Sequence, residues 1–230
     1  MTCAATSIRS GPIVQYGRRM RVLRLAAVAA GGYLLGTLPS SGGAARLTTG
    51  GAIDLRSSGT GNPGGMNAQR LLGRRVGALV IAADVAKGVA ACGLGRRSAG
   101  DVGAHVAGVA AVTGHCYPLW TRFHGGKGVA TSFGQCLYTL PAYAPVDVAV
   151  AMTVARTPGL RRPALVSVGV SSIAWVLAGI VWWRRALPNL WGPRPTVALP
   201  AANAATVLVI ALRAISMLRR NEPDELALPR

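Results

Sequence analysis

ALVSVGVSSIAWVLAGIVWW, residues 164–183, holds 20 residues without a charge and closes on two tryptophans. At 1.5 Å per residue a helix of that length covers about 30 Å, the thickness of a bilayer's hydrocarbon core. Tryptophans suit the membrane–water interface. Arg161 and Arg162 precede the run and Arg184 and Arg185 follow it, so charge flanks the stretch and is absent within it. Lipid offers no partner for backbone N–H and C=O groups, so such a segment crosses as a helix.

The pattern repeats on both sides. Residues 22–38 are apolar apart from Arg24 and end at Pro39. Their basic flank resembles that of a signal peptide, but no small-residue cleavage site follows, and the run reads as a first transmembrane helix. Residues 76–95 carry Asp84 and Lys87 and stop at Arg96–Arg97; residues 102–121 carry His105. Residues 128–157 are broken by Pro141, Pro145 and Asp147, which predicts two short helices with a turn near Pro141. Residues 196–212 form a last span. The expected fold is an all-α integral membrane protein, a polytopic bundle of about seven transmembrane helices. Its membrane domain covers 22–218, between an N-terminal extension, 1–21, and a polar tail, 219–230. Residues 40–75 read as a long polar connection rich in Gly, Ser and Thr.

Twenty-five Lys and Arg against seven Asp and Glu give a net charge of +18 in a chain that is 51% hydrophobic. Such charge first suggests nucleic acid. Here the arginines cluster between apolar runs, the layout of membrane-protein loops, and no nucleic-acid partner is expected. Seven spans place residues 40–75, the 114–128 region, the 156–162 turn and the C-terminus on one face. That face carries a small excess of Lys and Arg, which favours a cytoplasmic side, although Arg9, Arg18, Arg19, Arg21 and Arg24 lie opposite. Cys3, Cys92, Cys116 and Cys136 form no CxxC pair and read as free thiols, and His105, His115 and His124 form no ligand cluster. Neither metal nor cofactor is expected.

Two polar stretches stand apart. The first is GHCYPLWTRFHGGKGVAT, residues 114–131. Glycines let a backbone approach a ligand closely, and a helix starting after them presents unpaired N–H groups and a positive dipole end. Lys127 adds a charge. This reads either as an anion site, most naturally for phosphate, or as a basic turn between two spans; the Walker A pattern is absent. The second is DLRSSGTGNPGGMNAQRLLGRR, residues 54–75. Thr60, Asn62 and Asn67 offer short polar side chains and Arg70 a fork of donors suited to phosphate. The alternative is a flexible Gly/Ser loop. Asp84 and Lys87, three residues apart on one helix face, read as a buried structural pair rather than as catalytic groups.

These stretches, with ADVAKG at 83–88, resemble the bacterial membrane glycerol-3-phosphate acyltransferase family of the PlsY type. That family's first loop reads D-[IL]-R-x-x-G-S-G-N-x-G-A-T-N-x-x-R, its second helix L-D-x-x-K-G, and its second motif G-H-x-[FY]-P-x-x-x-x-F-x-G-G-K-G-V-A-T. The resemblance implies transfer of an acyl group from acyl phosphate to the 1-hydroxyl of glycerol 3-phosphate, giving lysophosphatidic acid at the inner (plasma) membrane. It implies no cofactor, and membrane lipid as the surroundings; the oligomeric state is left open. Gly125, Gly126, Lys127, Gly128, Val129 and Ala130 would cradle the acyl phosphate through backbone N–H groups. Thr60, Asn62, Asn67, Arg70, His124 and Arg213 would hold the acceptor. His115, Lys127 and Arg70 would be the catalytic set. Either His115 or a substrate phosphate takes the hydroxyl proton, and a structural His115 is an equal alternative.

The chain departs from the family pattern in several places. Thr60 replaces a serine, Gly65–Met66 an Ala-Thr pair, and His124 a lysine. Ser167 is the counterpart of a third-motif serine. The C-terminal H-R-x-N-I-x-R-L becomes ALRAISML, residues 211–218, with Ala211 and Ala214 in place of the His and Asn and Arg213 the one arginine of the stretch. A second expectation follows: a catalytically impaired homologue that binds an acyl or lipid phosphate without turnover.

Overall fold

The computed structural model describes residues 12–227. All regular structure among them is helical. Eight α-helices occur: α1 Pro12–Gly36, α2 Ser40–Thr49, α3 Gly65–Leu72, α4 Arg74–Cys116, α5 Val129–Thr139, α6 Ala144–Ala155, α7 Pro163–Arg185 and α8 Ala198–Arg219.

The 43 residues of α4 are a hairpin rather than one rod. Ala99 (φ −141°) and Gly100 (φ 69°, ψ −162°) break the helix, and the chain turns back on itself. Gly95 and Gly103 face each other across the turn, where a Cβ on either would collide with the other's backbone. Small residues permit this close approach, as they do between membrane helices generally. Counting the two arms, the described residues hold seven long or apolar helical segments, in keeping with the expected polytopic bundle.

Large side chains point outward. Ile173, Leu177 and Leu208 are 62%, 56% and 59% exposed. So much apolar surface suits lipid rather than water. Among the described residues, four stretches are long and apolar enough to cross a membrane: Gln15–Thr49, Arg74–Thr121, Pro163–Arg185 and Ala198–Arg219. Helices α5 and α6, with 11 and 12 residues, are each shorter than the roughly 20 needed for a full crossing. They form a hairpin packed between α4 and α7. Its turn meets the opposite end of the bundle, where Asn189 Nδ2 donates to the Thr139 carbonyl at 3.0 Å.

Polar contacts define the two ends. At one, Arg96 pairs with Asp101 at 2.9 Å and the Arg194 N–H donates to the same carboxylate at 3.1 Å. At the other, Asp224 accepts from the Ala164 and Leu165 N–H groups that open α7, at 3.3 and 3.1 Å. A carboxylate there satisfies orphan donors and complements the helix dipole.

Two expectations are corrected. Helix α1 begins at Pro12, well before the apolar run at residue 22, because nothing between 12 and 21 interrupts a helix except Gly17. Residues 1–11 and 228–230, with Cys3 and Arg9, lie outside the described residues. The 40–75 connection is not structureless, since it contains α2 and α3. Helix α2 buries Ser41 and Ala45, and α3 buries Gly65, Asn67 and Ala68. Ala45, Leu55, Ala68 and Val80 form a small core that fastens this segment to the first arm of α4.

Candidate active site

The site lies at the end of the bundle that carries both glycine-rich stretches. Its foundation is the buried pair in the first arm of α4. Lys87 Nζ lies 2.8 Å from Asp84 Oδ1, and both side chains are almost wholly buried. Lys87 also donates to the Leu38 carbonyl at 2.6 Å and to Ser40 Oγ at 2.8 Å, so its three N–H groups all have partners. Ser40 Oγ in turn donates to Asp84 Oδ1. The pair therefore locks the α1–α2 junction onto α4. Ser40 had no sequence signal, since one serine in a Gly/Ser run resembles the next.

His115 sits in the last turn of α4, with Nδ1 3.6 Å from Asp84 Oδ1. After it Tyr117 leaves helical geometry (φ −131°, ψ 61°) ahead of Pro118, and a short 3₁₀ turn, Leu119–Thr121, follows. Arg122 and Phe123 then take positive φ, 51° and 63°. This bend returns the chain to the end of α4. The Gly125 N–H donates to the Cys116 carbonyl and the Gly126 N–H to the His115 carbonyl, each at 3.1 Å. A Cβ at Gly125 would strike the His115 carbonyl, and one at Gly126 would strike His115 Nε2. The two glycines are thus required by close packing on His115.

This corrects the role expected of Gly125 and Gly126. Their N–H groups are bonded within the protein and do not face a ligand. The amides suited to an anion belong to Lys127, Gly128, Val129 and Ala130, where α5 starts. The first N–H groups of an α-helix have no intrahelical acceptor, and Gly128 (φ 82°) is the residue that turns the chain into α5.

Arg213 is corrected too. It is 3% exposed, and its Nη2 and Nε donate to the Gly125 and Gly126 carbonyls at 2.8 and 3.2 Å. It grips the glycine loop from α8. Asn67 is 0% exposed: Oδ1 accepts from the Thr60 N–H at 3.0 Å, and Nδ2 donates to the Leu55 and Ser58 carbonyls at 3.0 and 2.9 Å. It holds the first loop in shape. Thr60 is also buried, and its Oγ accepts from the Asn62 N–H at 3.4 Å. His124 is exposed and turned to the Arg122 carbonyl, 2.7 Å away. Ser167 donates to the Ala151 carbonyl at 2.7 Å, joining α7 to α6.

Asn62, Arg70 and Lys127 remain, and the fold brings them together. All three meet one residue, Glu225. Asn62 Nδ2 donates to Glu225 Oε1 at 2.7 Å, Lys127 Nζ lies 3.0 Å from Glu225 Oε2, and Arg70 Nη2 donates to the Glu225 carbonyl at 2.6 Å. Residues of two separate stretches, more than fifty positions apart, thus converge on a single point. Glu225 is the member that the sequence left unnoticed. The one available signal was that Glu222, Asp224 and Glu225 hold three of only seven acidic residues.

The sequence pattern of the glycerol-3-phosphate acyltransferases matches residues 26–222. The chain belongs to that family. A glycerol-3-phosphate acyltransferase of Thermoanaerobacter sp. (strain X514) is 38% identical over 133 residues, 57% of this chain and 65% of its own length. One of Bacillus cytotoxicus is 41% identical over 150 residues, 65% of this chain and 73% of its own length. The chain thus spans just under two thirds of the length of the Thermoanaerobacter relative. The crystal structure of PlsY, an integral membrane glycerol 3-phosphate acyltransferase in its glycerol 3-phosphate form, superposes with a TM-score of 0.67. It is 27% identical, over 86% of this chain and 94% of that one. Membership in the acyltransferase family accords with the multi-pass fold and with the placement of both glycine-rich motifs at one end of the bundle.

Proposed function

We propose that the protein transfers a fatty acyl group from acyl phosphate to the 1-hydroxyl of glycerol 3-phosphate. The product is lysophosphatidic acid, made at the cytoplasmic face of the inner (plasma) membrane. The observation that carries this reading is the convergence of Asn62 and Arg70 from the first loop with Lys127 from the second. An acyl transfer between two phosphate-bearing substrates needs such a meeting of donors.

An acyl phosphate is already activated. The acceptor hydroxyl forms a bond to the acyl carbon, the bond from that carbon to the phosphate oxygen breaks, and inorganic phosphate leaves. The protein has mainly to align the hydroxyl and balance charge. Lys127 and the N–H groups that open α5 face the phosphate of the donor. Arg70 and Asn62 hold that of the acceptor. The hydroxyl proton passes to a substrate phosphate. His115 supports the glycine loop, since its Nε2 lies against Gly126 and its Nδ1 toward Asp84.

The test is transfer of label from acyl phosphate to glycerol 3-phosphate by the full-length protein in detergent, with acyl-CoA as the comparison donor. Lys127→Ala and Arg70→Ala each lower the rate at least about 100-fold, the scale of losing a charge-stabilising donor. Undiminished transfer in Lys127→Ala overturns the assignment.

A second reading, a homologue that binds an acyl or lipid phosphate without turnover, is favoured by one observation. Ala211 and Ala214 offer no polar contact, and Arg213 is turned inward to Gly125 and Gly126. Rescue of a bacterial strain lacking its own acyltransferase excludes this reading.

A further inference from the structure

Glu225 is 4% exposed, although its neighbours Leu226 and Ala227 are exposed. A buried carboxylate persists only where cations or hydrogen-bond donors compensate it. Here those donors are the groups read above as a phosphate site. Oε1 accepts from Asn62, Oε2 faces the Lys127 ammonium, and the main-chain carbonyl of the same residue accepts from Arg70. Two carboxylate oxygens held by an amide and an ammonium mimic two oxygens of a phosphate.

The segment bearing Glu225 is fixed on both sides. After α8 the Glu222 N–H donates to the Met217 carbonyl at 3.1 Å, which bends the chain back over the bundle end. Asp224 is anchored on the N-terminus of α7 through the Ala164 and Leu165 N–H groups. That anchor directs the next side chain into the site. It is also renewable, because it consists of two hydrogen bonds at the surface of the helix end.

We infer that Glu225 is an internal competitor for the phosphate site. Its carboxylate neutralises Lys127 and occupies the Asn62 amide while no substrate is bound, and it must withdraw before a substrate phosphate can take its place. The inference rests on the reading of Lys127 as a group for the donor phosphate and of Asn62 and Arg70 as groups for the acceptor phosphate, with Glu225 bridging the two. A phosphate dianion brings more charge and more acceptor oxygens than the carboxylate, so it displaces Glu225, and the two anions do not share the site. The apparent affinity for substrate is therefore the intrinsic affinity reduced by the fraction of molecules in which the segment is closed.

The test is equilibrium binding of inorganic phosphate and of glycerol 3-phosphate to the full-length protein in detergent, beside the acyl-transfer assay. Glu225→Gln removes the charge and Asp224→Asn weakens the anchor. Each is expected to tighten binding five- to tenfold, and saturating glycerol 3-phosphate is expected to speed tryptic cleavage after Arg219 and Arg220 in the unaltered protein. Should Glu225→Gln fail to fold, Asp224→Asn and the cleavage rates decide. Equal or weaker binding in both variants, with acyl transfer intact, overturns the competitor and leaves the proposed reaction standing. Tighter binding in the variants with no acyl transfer in any protein upholds the competitor and removes the reaction. No phosphate binding in any of the three proteins overturns the competitor outright.

Discussion

The Arg213 guanidinium donates to the Gly125 carbonyl at 2.8 Å, across 88 positions of sequence. The last helix thereby holds the glycine loop from behind. Arg213→Met strands two buried carbonyls, at a cost of roughly 2–3 kcal/mol. The expected outcome is a lowered unfolding temperature in detergent together with a lowered kcat. Arg213→Lys recovers only part of both, because an ammonium cannot reproduce the fork. A rise in the acceptor KM alone, with unchanged stability, would return Arg213 to the acceptor site.

Asn67 makes three hydrogen bonds inside the first loop. Asn67→Ala is expected to destabilise the protein by about 3 kcal/mol, at roughly 1 kcal/mol for each bond. Asn67→Asp keeps the acceptor for Thr60 but sets a carboxylate oxygen against the buried Leu55 and Ser58 carbonyls, so its loss is at least as large. Thermal unfolding in detergent measures both.

The Asp84–Lys87 pair is buried, and removing one partner leaves an uncompensated charge. Asp84→Asn is expected to cost about 3–5 kcal/mol. The double variant Asp84→Leu, Lys87→Met regains most of that stability, since apolar residues of similar volume replace such pairs well. Denaturant titration of Asp84→Leu, Lys87→Met and the double variant gives the coupling.

Gly126 and His115 form a second coupled pair. Gly126→Ala drives a Cβ into His115 Nε2 and displaces the loop, with an expected loss of roughly 100-fold in kcat/KM. Shortening the ring relieves the clash. The double variant Gly126→Ala, His115→Ala is therefore expected to exceed Gly126→Ala alone in activity. A double variant no more active than the single would make His115 the proton acceptor instead of a support.

The membrane passes were legible because a charge-free run of 20 residues has few other fates, and because Arg96 and Arg97 marked a turn that forms just beyond them, at Ala99 and Gly100. Helices α2 and α3 were not legible. Their sequences, SSGGAARLTT and GMNAQRLL, are weak helix formers held in place by packing on α4. The two glycine-rich stretches suggested a phosphate site through residue type and spacing, and the fold brings Asn62, Arg70 and Lys127 of those stretches onto Glu225. Which side chains remain free for a ligand depends on long-range contacts, and so Arg213 and Asn67 were assigned to substrate when the fold uses them internally. Glu225 was hidden for the opposite reason, because a carboxylate is the residue least expected in an anion site.

The contacts around the glycine loop also set an order of assembly. Leu38, Asp84, Lys87 and His115 all precede residue 116, so the foundation is available as soon as the α4 hairpin has emerged and inserted. Arg213 arrives last, nearly ninety residues after the carbonyls it serves. A chain halted on the ribosome before α8 would carry its helical hairpin and a glycine loop with nothing behind it. The glycine loop is fully held only once α8 has been made, and a shorter chain carries that loop unsupported in the membrane it has already entered.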